Sequence, residues 1–156
     1  MRALSSCRPL VVILLMAGCR PEPPSDLPAE PLAGFPVAQA GPDCAPWDGA
    51  AVTILFSAES VHPDSIRAPY LGVSLWQHLG RLTGRAWRWP AAEQIGAASW
   101  CLSDEDCRAA TTGAVWLEPV GPDSIVAGRL RLEFVDQPAL AGSFRAVWRP
   151  RLARCG

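Results

Sequence analysis

Between Arg129 and Arg149 the chain alternates apolar and polar residues with a period of two. Leu130, Leu132 and Phe134 fall on one side, with Arg129, Arg131 and Glu133 opposite. After Asp136, Gln137 and Pro138, Phe144, Ala146 and Trp148 alternate with Ser143, Arg145 and Arg149. Successive side chains of a strand point to opposite faces, so the pattern predicts two half-buried strands joined as a hairpin with a loop of several residues. Arginines on the solvent side also discourage edge-to-edge aggregation. Other runs have strand length: 51–57 ("AVTILFS"), 70–76 ("YLGVSLW"), 98–102 and 113–119. A further run, 85–89, sets Trp87 and Trp89 on one face and is stopped by Pro90. About seven short strands separated by Gly, Pro and Asp clusters predict an all-β antiparallel sandwich over 44–156. One segment also carries helical signals. Ser74 with Gln77 resembles a capping box, and Leu75, Leu79 and Leu82 have helical spacing up to Gly84, so a short helix follows the 70–76 run. Gly80 weakens it.

The ends of the chain behave differently. Arg2 and Arg8 precede an eight-residue apolar run from Leu10 to Ala17, too short for the roughly 20 residues that cross a bilayer as a helix. The pattern is that of a secretory signal peptide, placed at 1–18. Residues 20–43 then carry Pro21, Pro23, Pro24, Pro28, Pro31, Pro36 and Pro42 with few apolar side chains. That composition predicts a disordered or polyproline-like linker, at about 3.1 Å per residue a reach on the order of 70 Å. The stretch Leu15-Met16-Ala17-Gly18-Cys19 resembles a bacterial lipobox, with methionine at the third position before the cysteine where leucine is usual. The resemblance implies cleavage after Gly18, diacylation of the Cys19 thiol and acylation of the new amino group. It therefore implies a lipid-anchored protein of the bacterial cell envelope, carrying palmitate-type chains. A single chain binds a membrane marginally and two or more anchor it stably. Arg20, rather than an aspartate, follows Cys19, and points to the outer membrane.

The cysteine count fits an exported domain. Of six cysteines, Cys7 leaves with the signal peptide and Cys19 carries lipid, leaving Cys44, Cys101, Cys107 and Cys155. Four cysteines allow three pairings. Cys101 and Cys107 flank a short polar loop, and Cys44 and Cys155 stand at the two ends of the expected domain, which favours 101–107 with 44–155. A zinc site competes, but the paired CxxC spacing and a neighbouring histidine are missing.

A looser likeness covers most of the domain. The order "APYLGVSLW", Cys101 and Cys107 around an acidic loop, "AATTGAVWLE", "GRLRLEFVD" and "GSFRAVW" is similar to an uncharacterised group of bacterial lipoproteins with a cysteine-stapled all-β domain. These end in a Gly-x-Phe-x-Ala-x-Trp-Cys strand and a final Cys-Gly. Gly142, Phe144, Ala146, Trp148, Cys155 and Gly156 match, whereas Arg149 stands where a cysteine is expected, so that group's disulfide scheme is not carried over. The likeness implies architecture and location, and brings no activity.

Composition narrows the function classes. The 156 residues are 49% hydrophobic and 19% charged, with a formal net charge of −1, enough for a core and without the basic excess of a nucleic-acid binder. All 14 basic residues are arginine, which reads as GC-rich coding and removes lysine nucleophiles from consideration. His62 and His78 are the only histidines, and no serine sits in a Gly-x-Ser-x-Gly elbow. His62 with Asp64, Ser60 and Ser65 reads as a turn rather than a triad, which a fold assembles from distant segments. The acidic run Asp104, Glu105, Asp106 lacks the spacing of a calcium loop. No cofactor or metal site is expected. Seven tryptophans remain as the compositional oddity. Trp87 and Trp89 are the candidate binding aromatics, since exposed rings stack on sugars and anchor interfaces; packing into the core is the competing role. The expectation is a non-catalytic binding or structural module, held to the membrane by its lipid, whose partner is an envelope protein or cell-wall glycan. The alternative is a small envelope hydrolase or a glycan-binding module.

Overall fold

A computed structural model describes residues 21–59, 67–91, 93–121, 123–150 and 155. Over these the chain is all-β with one short helix. In chain order the elements are β1 (Val37–Cys44), β2 (Ala50–Ser57), β3 (Tyr70–Leu75), α1 (Leu79–Leu82), β4 (Ala86–Trp89), β5 (Gly96–Cys101), β6 (Cys107–Ala109), β7 (Thr112–Leu117), β8 (Ile125–Phe134) and β9 (Gln137–Trp148). The strands form one sheet in the order β4-β7-β8-β9-β1-β2-β3-β5-β6. Every pair is antiparallel except β1 with β9, which run parallel through Gln39↔Val147 and Ala40↔Trp148. The expected all-β class with one short helix holds; among the described residues the strands number nine and form one continuous sheet, with β1–β9 its parallel pair.

The sheet folds over on itself. Trp100 of β5 and Phe134 of β8 stand five strand positions apart, about 24 Å on a flat sheet at the usual strand spacing. Their ring centroids are 5.8 Å apart. The β6–β7 connection passes between the two halves: the Ala110 N–H donates to the Ala98 carbonyl of β5, and the Thr111 N–H to the Glu133 carbonyl of β8. The inner faces therefore enclose one core, with Ile54, Phe56, Leu71, Val73 and Leu75 from one half and Val115, Leu117, Leu130 and Leu132 from the other. Leu82 of α1 is fully buried in that core.

The period-two reading of the last two strands holds in detail. Leu130, Leu132, Phe134, Phe144 and Ala146 are buried, and Trp148 packs half-buried against the same core. Their turn is tighter than expected, only Val135 and Asp136 lying between β8 and β9. Asp136 takes φ +57°, and the register shifts between Leu132 and Phe134. From Leu132↔Leu140 to Phe134↔Gln137, β9 carries one residue more than β8, and this bulge accommodates Pro138, which has no N–H to give the ladder.

β1 was not legible as a strand, and its position explains why. It lies between β9 and β2, where Phe56 and Phe144 meet edge-to-face over it at 5.1 Å. Only small side chains fit beneath that contact, and Ala38 and Ala40 supply them. Pro42 is tolerated because β1 and β9 pair at residues 39 and 40. Ala40 directs its carbonyl to Arg149 of the β9 side, so Pro42, of the same parity, turns its missing donor toward a side where the ladder has ended.

The expectation that residues 20–43 form a disordered linker needs the largest correction: from Pro21 onward this segment is part of the folded body. Asp26 pairs with Arg88 of β4 at 2.9 Å. Leu27, 1% exposed, packs on Ala86, Ala114 and Trp116, the outer face of β4 and β7. Its carbonyl accepts a hydrogen bond from Arg129 of β8 at 3.2 Å. On β9, Ser143 Oγ donates to the Ala29 carbonyl, the Ser143 N–H donates to the Glu30 carbonyl, and the Leu32 N–H donates to the Ser143 carbonyl. Leu32 and Phe35 then enter the main core. A Cβ on Gly142 would stand 2.6 Å from the Leu32 backbone, so a glycine is what lets this strap pass so close to β9. Prolines prevent the segment from reading as helix or strand. They also narrow its unfolded ensemble, which lowers the entropy lost when it is ordered.

Candidate functional site

The sheet registers sort the loops into two ends. At one end lie the β1–β2 turn at 45–49, the segment 76–85 with α1, the β7–β8 loop at 118–124 and the region after β9. Phe35, the β5–β6 turn at 102–106 and the β8–β9 turn lie at the other. Each predicted site residue can be placed on this frame.

Both expected disulfides are formed. Cys44–Cys155 ties the start of the β1–β2 turn to the chain after β9, across 111 residues. Cys101–Cys107 closes the β5–β6 hairpin at the opposite end, across six residues. Within that hairpin Arg108 holds Asp106 through two nitrogens at 3.1 and 3.3 Å. The hydrogen bond, then the charge of Asp106, raises the Arg108 guanidinium above its ordinary value. Asp104 and Glu105 are exposed on the hairpin tip. Cys19, Cys7 and His62 with its neighbours Ser60, Asp64 and Ser65 lie outside the described residues. His78 is exposed just before α1, and its carbonyl accepts the Arg81 N–H. Among the described residues, no group of three or more His, Cys, Asp or Glu is placed to hold a metal ion.

Of the two candidate aromatics, Trp89 is 7% exposed and belongs to the core. Trp87 is half-buried against that core; its Nε1–H donates to the Leu82 carbonyl at 2.9 Å, and Arg85 lies over its ring at 3.9 Å. The pair therefore presents no open stacking face. Pairing of β4 with β7 sets their phase: Arg88 faces outward beside Ala114, and Trp87 and Trp89 alternate inward with it. Trp89, Trp100 and Trp116 each bury an indole nitrogen without a hydrogen-bond partner among the described residues, which marks them as packing rather than polar-recognition groups.

The exposed aromatic surface lies elsewhere. Trp47, 58% exposed in the β1–β2 turn, meets the half-buried Trp76 edge-to-face with centroids 5.2 Å apart. In the sequence these two are not distinguished from the other five tryptophans. The signal was present for Trp47, which stands among Pro46, Asp48 and Gly49 in a turn, where an aromatic is seldom needed for the core. Beside the same end, the ring of Pro21 lies 3.2 Å from where a Gly84 Cβ would be. A cavity of about 330 Å³ opens on the outer face beside the strap, between Asp26, Arg88, Thr112, Arg131 and Glu133. Its charges are already paired, Arg88 with Asp26 at 2.9 Å and Arg131 with Glu133 at 3.3 Å, and each side chain is about half exposed.

Compared with known proteins, the chain matches no family model, no curated sequence and no solved structure. The likeness to cysteine-stapled lipoproteins therefore rests on the residues quoted for it alone.

Proposed function

We propose that this protein is a lipoprotein of the bacterial cell envelope, anchored through Cys19, whose β domain is a non-catalytic binding or structural module. One observation carries the reading: the four cysteines that follow Cys19 are consumed pairwise by two disulfides. Paired cysteines belong to an oxidising, exported setting. They leave Cys19, directly after small residues and an apolar run, as the thiol for a lipid acceptor. With Arg20 after it, the outer membrane is the proposed destination. Trp89 is buried, so support for glycan stacking at Trp87 and Trp89 falls away, and an envelope protein becomes the favoured partner. The test is to inhibit lipoprotein signal peptidase in the native host. Uncut precursor accumulates if the reading is right, and processing that continues unchanged overturns it. Cross-linking in intact cells then identifies the partner.

A further inference from the structure

We infer that the end of the sheet carrying Trp47 docks on the lipid leaflet that holds the Cys19 anchor. This rests on the lipoprotein reading and adds to it an orientation and a lipid-facing surface. Its starting point is where the folded body begins. Pro21 is already packed beside Gly84, and only Arg20 separates it from Cys19. Two peptide steps span about 7 Å, so covalent geometry alone keeps a lipid on Cys19 within that reach of Pro21. So short a connection holds that end of the sheet at the membrane at high effective concentration, and even weak contacts there are occupied.

The surface beside the corner suits a lipid interface. Trp47 and Val120 are exposed at 58% and 43% on two loops of this end, and Trp76 supports Trp47 edge-to-face. Tryptophan settles at the headgroup level of bilayers, where its apolar ring and its N–H are both accommodated. Arg81 and Arg85 are exposed on either side of Gly84. Each basic residue near an anionic leaflet is worth about a fivefold preference. Asp123 is paired with Arg145 at 3.5 Å, and the exposed Asp48 and Glu118 match the two arginines in number, with Glu22 also exposed beside Pro21, so charge does not select this end. The anchor and the exposed apolar side chains therefore hold the docking. The opposite end, with the Cys101–Cys107 hairpin and the β8–β9 turn, then faces away from the membrane and is free for a partner.

The test is hydrogen exchange, read by mass spectrometry, on the lipidated protein in vesicles of phosphatidylethanolamine and phosphatidylglycerol. The reference is the unlipidated protein in buffer. Exchange slowed severalfold in peptides covering 45–49, 76–85 and 118–121, with 102–106 and 134–137 unchanged, is the expected result. The Trp47→Ala variant should lose most of the slowing in 45–49. Protection there that survives the change overturns the tryptophan's part. Protein carrying the acyl mass on Cys19 but showing uniform slowing, slowing at the opposite end or none overturns the docking and leaves the anchor standing. Absence of the acyl mass overturns both.

Discussion

Leu27 and Asp26 are neighbours in sequence but hold the strap by unequal means. Leu27 gives up nearly all its exposure to Trp116, Ala114 and Ala86. Truncating a fully buried leucine typically costs about 2–5 kcal/mol, from lost burial and the cavity left behind. Asp26 pairs with Arg88 where both side chains are about half exposed, and such pairs contribute less than about 1 kcal/mol. In urea unfolding, Leu27→Ala should therefore lower the midpoint markedly and Asp26→Asn should barely move it. A free linker would leave both variants at the wild-type midpoint. At this scale the sequence was half legible. The inward phase of Trp87 and Trp89 followed from alternation, but Leu27, Leu32 and Phe35 were hidden. Isolated apolar residues among prolines have no periodicity, so only their distant partners show that they are buried.

Among the elements, the two disulfides make a graded prediction. In the chain-entropy picture a bridge closing about 110 residues contributes roughly 4–5 kcal/mol, and one closing about six roughly 2 kcal/mol. The Cys44→Ser/Cys155→Ser variant should lose about twice as much unfolding free energy as Cys101→Ser/Cys107→Ser. Calorimetry or denaturant titration of the two variants checks the order, and equal losses would contradict it. The pairing was readable because Cys101 and Cys107 flank a hairpin turn and Cys44 and Cys155 stand far apart near the ends of the expected domain. The strands with strong alternation, β8 and β9, were equally readable, as was α1 from its leucine spacing. β1 was not, since its alanines are chosen by the aromatic rings crossing over it rather than by strand propensity. β6 is three residues long, and its ladder with Ser99–Cys101 and the Cys101–Cys107 bridge hold it against β5.

For the whole molecule, the strap alters what the proline-rich segment does. Read as composition, it is a spacer that lifts a domain clear of the membrane. Packed across β4, β7, β8 and β9, it fastens the outer face and delivers the chain into the core at Leu32 and Phe35. Pro21 already lies beside the Gly84 corner. What the sequence offers locally is the lipobox resemblance, which carries a proposed address and no site. The end proposed to face lipid is assembled from loops far apart in sequence and brought together only by the sheet register. The central claim, that the proline-rich segment is part of the fold and not a spacer, is tested most directly by backbone 15N relaxation of the Leu27 and Leu32 amides. Order parameters near about 0.85, equal to those of β8 and β9, are the expected result, and values below about 0.6 would contradict it.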